Sequence, residues 1–157
     1  MTLTLLVLSM GGCAWESQDQ RDQRALRRLF SIPKSAKIER YEGYPDRVGF
    51  GQREGLEIRA SYLLSGPDLD TVLQQLNRSD WEPLPIPAQI QRTLWPRAEN
   101  MPLKATRGYF FCAHAGDNVL YARETRSCSR VQNPNDLILG ILDTEARSLH
   151  VLVASDY

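Results

Sequence analysis

The sequence predicts an α+β domain: a twisted antiparallel sheet of five or six strands with one or two helices packed on one face. Three segments carry that prediction. Leu56 to Leu64 alternates without a break, with Leu56, Ile58, Ala60, Tyr62 and Leu64 on one face and Glu57, Arg59 and Ser61 on the other. That period of two marks a strand with one face on a core and one on water. Leu137 to Leu142 (LILGIL) is apolar on both faces, which suits a central strand. Between them, Ser65-Gly66-Pro67-Asp68 opens a helix, with proline in the first turn and an acid against the positive dipole end. Leu69, Val72, Leu73 and Leu76 give that helix its buried stripe, and Asn77 to Asp80 ends it. At 157 residues, 42% of them hydrophobic, the chain has material for one core.

From the N-terminus, Leu3 to Met10 is apolar except for Thr4 and Ser9. It ends in Gly11-Gly12-Cys13 and gives way to the polar, charged run Glu16 to Arg24. An apolar stretch of this kind falls within the ~7–15 residues of a signal-peptide core. The order apolar run, small residues, cysteine resembles the bacterial lipoprotein signal with its lipobox, Met10-Gly11-Gly12 preceding the cysteine. The resemblance covers residues 1–13 and implies that Cys13 is acylated, palmitate included, and becomes the first residue of the mature protein. Each buried methylene contributes about 0.8 kcal/mol, so a multiply acylated cysteine is a firm anchor. In that family a non-aspartate such as Ala14 after the cysteine goes with sorting to the outer membrane, so the resemblance also implies a position facing the periplasm of a bacterial envelope. The competing reading is a buried N-terminal strand or helix turned by Gly11-Gly12, which fits poorly with the polar run that follows. The expected organisation is a signal over 1–13, a tether and helix start over 14–25, and one domain over 26–157.

With Cys13 assigned to the anchor by that resemblance, two cysteines remain in an oxidising compartment, Cys112 and Cys128, and a disulfide is the expectation. A loop of this length gives about 3 kcal/mol in the chain-entropy picture. Three alternatives stay open: unpaired structural cysteines, a zinc set of Cys112, His114, Cys128 and His150, and a nucleophile–base pair of Cys112 with His114. Neither chemical alternative has a diagnostic spacing.

The other elements follow in order. Ser17 to Gln20 fits a capping box, and Leu26, Leu29 and Phe30 give a helical stripe stopped by Ser31-Ile32-Pro33. Arg21, Arg24, Arg27 and Arg28 crowd the rest of that helix. They are expected to form a solvated face partly neutralised by Asp19 and Asp22, contact with anionic lipid near the anchor being the other reading. Ala36 to Tyr44 is a first strand. The connection Gly43 to Gly55 (GYPDRVGFGQREG) is long for a hairpin, and its aromatic and arginine residues Tyr44, Arg47, Phe50 and Arg53 are candidates for an interaction loop. Its Gly49-x-Gly51 precedes a strand, which argues against a phosphate loop. The alternate prolines of Trp81 to Pro87 predict an extended strap that presses Trp81, Leu84 and Ile86 onto the core. Ala88 to Trp95 is a short helix and Pro96 to Lys104 a loop. Gly108 to Ala115 is expected to turn through Gly116-Asp117-Asn118 into a return strand over Val119 to Thr125. Asp143 to Arg147 turns the central strand back into Leu149 to Ala154, where His150 alternates with Leu149, Val151 and Val153.

Nineteen basic and nineteen acidic residues, without a single-sign block, argue against nucleic-acid binding. No apolar run reaches the ~18–20 residues of a membrane-spanning helix. No nucleophile elbow, paired carboxylates or metal-binding helix marks an active site, and neither cofactor nor metal is expected. The expected function is that of a membrane-anchored, non-catalytic interaction module. Its partner is an envelope protein or the cell wall, in an accessory or a toxin-neutralising role, engaged through the 43–55 connection or the open sheet face. The alternatives are a carrier of a small apolar ligand between helix and sheet, and a hydrolase built on Cys112, His114 or a serine.

Overall fold

The computed structural model describes residues 16–45, 56–76, 80–94, 97–115, 120–128 and 136–155. Ser17 caps the first helix, α1 (Gln18–Leu29), by the expected capping box: its side chain accepts from the Gln20 amide, and the Gln20 side chain accepts from the Ser17 amide. Leu26 and Phe30 are buried, whereas Leu29, expected on the same stripe, is 43% exposed. The other buried residue of α1, besides Leu26, is Asp22, Phe30 being its C-cap.

Two long strands follow, β1 (Lys37–Pro45) and β2 (Leu56–Leu63), paired antiparallel. Ile38 and Tyr41, three residues apart, cannot share a face of a regular strand. The register shifts between Ile38 and Arg40, so one extra residue puts Ile38, Tyr41 and Gly43 on one face and Arg40, Glu42 and Tyr44 on the other. Helix α2 (Gly66–Leu76) begins at a reciprocal cap. The Ser65 hydroxyl accepts from the Asp68 amide, and the Asp68 carboxylate accepts from the Ser65 amide and hydroxyl. Ser35, in the turn before β1, also donates to Asp68. These hydrogen bonds hold the Asp68 carboxyl below its ordinary range, Ser35 contributing most.

The strap forms a two-residue strand, β3 (Glu82–Pro83), on the edge of the sheet, where its prolines are tolerated. Helix α3 (Ala88–Leu94) leads through turns to β4 (Gly108–Ala115). The return strand expected over Val119 to Thr125 is not formed over 120–125. Leu120 and Ala122 instead pack against the first core cluster, and only β5 (Arg126–Ser127) pairs back with β4. The central β6 (Asp136–Asp143) and β7 (Ser148–Ser155) complete an antiparallel sheet of order β1-β2-β7-β6-β4-β3, with β5 beside β4. The five long strands match the expected count, and the two short ladders bring it to seven.

Three rows of paired residues show what lies on the first face. They are Tyr109–Leu142–Leu149–Tyr62–Ile38, Phe111–Gly140–Val151–Ala60–Tyr41 and Ala113–Ile138–Val153–Ile58–Gly43. α1 and α2 lie on this face, with Leu26, Phe30, Val72 and Leu76 in one cluster with Ile58, Tyr62, Leu149 and Val151. Phe30 lies over Gly140 and makes edge contacts with Trp81 and Phe111, ring centroids 5.7 Å away in each case. A Cβ on Gly140 would stand 2.6 Å from the Phe30 ring, so the missing side chain is the space the ring occupies. At the start of β4, Gly108 takes φ 129°, and a Cβ there would meet the Leu142 carbonyl oxygen at 1.9 Å.

α3 packs on the opposite face, so the sheet is a middle layer. Ile86, Ile90, Leu94, Ala98 and Leu103 cover Phe110, Leu137, Leu139, Ile141 and Leu152 there. The strap thus crosses the sheet edge: Trp81 joins the first cluster, Leu84 and Ile86 the second.

Candidate functional site

The rows on the second face change character from one edge to the other. They run Phe110–Ile141–His150–Ser61–Arg40, Cys112–Leu139–Leu152–Arg59–Glu42 and His114–Leu137–Ala154–Glu57–Tyr44. Over β4 and β6 the side chains, His114 apart, are apolar and lie buried beneath α3 and the 97–105 turns. Over β2 and β1 they are polar or charged. Arg40 is exposed, and Glu42, Glu57 and Ser61 are half-buried.

This half-face is arranged by two same-strand ion pairs, Arg40 Nε to Glu42 Oε1 and Arg59 Nε to Glu57 Oε1, each 2.6 Å. The signs alternate along and across the strands, so the surface is a mixed-charge lattice with no net sign. The Arg40 guanidinium holds the Glu42 carboxyl below its ordinary range. Arg59 sits at the border of the covered half, where its Nη2 donates to the Arg97 carbonyl at 3.1 Å. Its Nη1 is buried without a hydrogen-bond partner among the described residues.

His150 lies one row away, with Nδ1 3.0 Å from the Ser61 hydroxyl and Nε2 2.9 Å from the Ser148 hydroxyl. Burial lowers its pKa, against the pull of Glu39 and Asp143, and keeps the ring neutral near pH 7. Both nitrogens are satisfied by serines, and neither is hydrogen-bonded to a carboxylate.

The chemical candidates separate in space. Cys112 and Cys128 are bonded to each other, with Cα atoms 5.4 Å apart, so the expected bridge is present and Cys112 offers no free thiol to His114. His114 is buried, its Nε2 without a hydrogen-bond partner among the described residues, and burial followed by Arg126 lowers its pKa. The row of His114 meets β7 at Ala154, four residues from His150. Four residues of strand span about 13 Å, so the two imidazoles cannot share one metal with the cysteines. No group of three or more metal-ligating side chains occurs among the described residues.

Of the interaction-loop candidates, Arg47, Phe50 and Arg53 lie outside the described residues, as do Cys13 and Asp117; Tyr44 is placed by its backbone on β1, opposite Glu57. Sequence reading named Arg59, Ser61 and Glu57 as the outer face of β2 but did not join them to Arg40 and Glu42. The bulge in β1 was the missing signal, since it alone puts those residues on the same face. No described helix is long and apolar enough to cross a membrane. No family model, no curated protein and no solved structure matches the chain.

Proposed function

We propose that the chain is a lipid-anchored protein of the bacterial envelope that acts as a non-catalytic interaction module. Its contact surface is the uncovered β1–β2 half of the second face, together with the 46–55 connection. The observation that carries this reading is the change along each row, from the covered apolar half at β4–β6 to an accessible mixed-charge half at β2–β1. The connection that carries Arg47, Phe50 and Arg53 leaves and rejoins the sheet at Pro45 and Leu56, the end of this same half-face. A lattice of both signs suits a protein surface of complementary pattern better than a polyanion. The anchor is Cys13, on its likeness to the lipobox, and a disulfide suits an oxidising compartment.

The test is capture of partners from envelope extracts with the anchored chain, repeated with Arg40→Glu/Glu57→Arg and with Arg47→Ala/Phe50→Ala/Arg53→Ala. A partner retained by the parent and lost by both variants, at unchanged melting temperature, supports the module. Equal capture by all three chains removes this surface from the function. Cys13→Ala is expected to abolish fatty-acid labelling; continued labelling refutes the anchor.

A further inference from the structure

The outer side of α1 holds three arginines that the core does not use. Arg21, Arg24 and Arg28, spaced by three and four residues, share one helical face, and all are exposed. With Gln18, Ala25 and the ring of Tyr121 they line a concavity of about 350 Å³. The acids expected to neutralise them make other contacts. Asp22 is buried and accepts from Gln18 Nε2 at 2.9 Å and from the Tyr121 hydroxyl at 2.5 Å. Asp19 reaches toward β1, its Oδ1 3.2 Å from the position a Cβ on Gly43 would take. Arg24 pairs with Glu16, but Arg21 and Arg28 have no ion-pair partner among the described residues. Two guanidinium groups therefore stand beside an open concavity whose aromatic wall is tied down by Asp22.

We infer that this face of α1 docks on the anionic phospholipid headgroups of the leaflet that holds the lipid anchor. The inference rests on the anchor of the proposed function and adds an orientation to it. Gln18 follows Cys13 by five residues, and five extended residues span at most about 17 Å, so α1 is held within reach of the headgroups. Arginines on such a leash meet an anionic surface without a large search cost, and each contributes roughly a five-fold gain in partitioning. The apolar stripe of α1 is occupied by the core, so the contact is by charge and not by insertion. α1 covers the first face of the sheet, while the mixed-charge half-face lies on the second. Docking through α1 thus turns the partner surface away from the bilayer.

The test uses the full chain carrying Cys13→Ala, with flotation on vesicles of phosphatidylcholine alone and of phosphatidylcholine with phosphatidylglycerol. Residues 1–12 are common to every chain compared and cancel in the ratio. The expected result is preferential binding to the phosphatidylglycerol vesicles, lowered about 30-fold by Arg21→Gln/Arg28→Gln and weakened by salt. An unchanged circular dichroism spectrum and melting temperature exclude unfolding of the variant. Equal binding to both vesicles, or equal binding of both chains, overturns the inference. Release by inorganic phosphate at constant ionic strength also overturns it, since the concavity would then be a small-anion pocket. The anchor is scored separately by fatty-acid labelling of the parent in cells. Labelling with no vesicle preference sinks the docking and leaves the anchor; vesicle preference without labelling does the reverse.

Discussion

The two faces of the sheet are covered by different physical means. On the first face the rows are apolar across the five long strands, and two helices with regular stripes close over them. On the second, a seven-residue helix, a proline strap and a disulfide cover only the β4–β6–β7 half. The disulfide joins β4 to the segment after β5, so part of the second layer is held covalently. Regular elements bury most of a face, leaving half-buried only residues of its outer strands β1 and β4; irregular ones cover what they can reach, and the remainder stays accessible.

The largest expected effect falls on the first face. Phe30→Ala removes the ring that fills the space over Gly140 and is expected to cost about 3–5 kcal/mol, measured by denaturant unfolding. Gly140→Ala alone should cost about 1–3 kcal/mol, because the Phe30 ring is held by Trp81 and Phe111 and cannot yield freely. In the Phe30→Ala background only Trp81 Cη2, 3.2 Å from the added methyl, still crowds it, so the cost should fall well below that in the parent; additive costs would show that the ring does not occupy this space.

On the second face, Cys112→Ala/Cys128→Ala is expected to cost about 3 kcal/mol, a fall in melting temperature of roughly 6–12 °C. Native-state hydrogen exchange sharpens the comparison. Amides of α3 and residues 97–105 should lose protection before those of α1 and α2, and equal loss over both layers would end the distinction.

Smaller effects probe the joints. Ser65→Ala breaks the reciprocal cap of α2 and should cost about 1 kcal/mol. The smallest effect is a pH dependence on the second face. The folded pKa of His150 lies below its ordinary value of 6.5, so the unfolded chain binds the proton more readily. Stability is therefore expected to fall as pH drops below about 6.5, and His150→Gln should flatten that slope relative to the parent. An unchanged slope would place the titration elsewhere, on His114 or on carboxylates such as Asp68 at lower pH.

How much of this was legible varies by element. The caps at Ser17 and Ser65 were legible because a cap is made by residues three apart. So were the faces of β2, β6 and β7, because side-chain alternation is a property of extended backbone. The bridge was legible from cysteine count once Cys13 was assigned to the anchor. Three features were not. The expected return strand after β4 is mostly displaced because Leu120, Tyr121 and Ala122 reach the first core cluster and α1. Asp22, expected as a solvated neutraliser of arginine, is buried by a phenol 99 residues away. The half-face depended on a bulge in β1 whose register is set by β2.

The sequence alone thus determined which residues lie on which face of β2, β6 and β7 and which residues cap α1 and α2, and it carries the lipobox-like opening that the proposed anchor rests on. Both follow from local spacing, which folding does not alter. Only the tertiary structure decided which faces are covered, since coverage depends on segments far apart in the chain meeting across the sheet. That is why the apolar rows could be expected in advance, while the charged half-face, and Arg21 and Arg28 without an ion-pair partner among the described residues, could be seen only once the layers were in place.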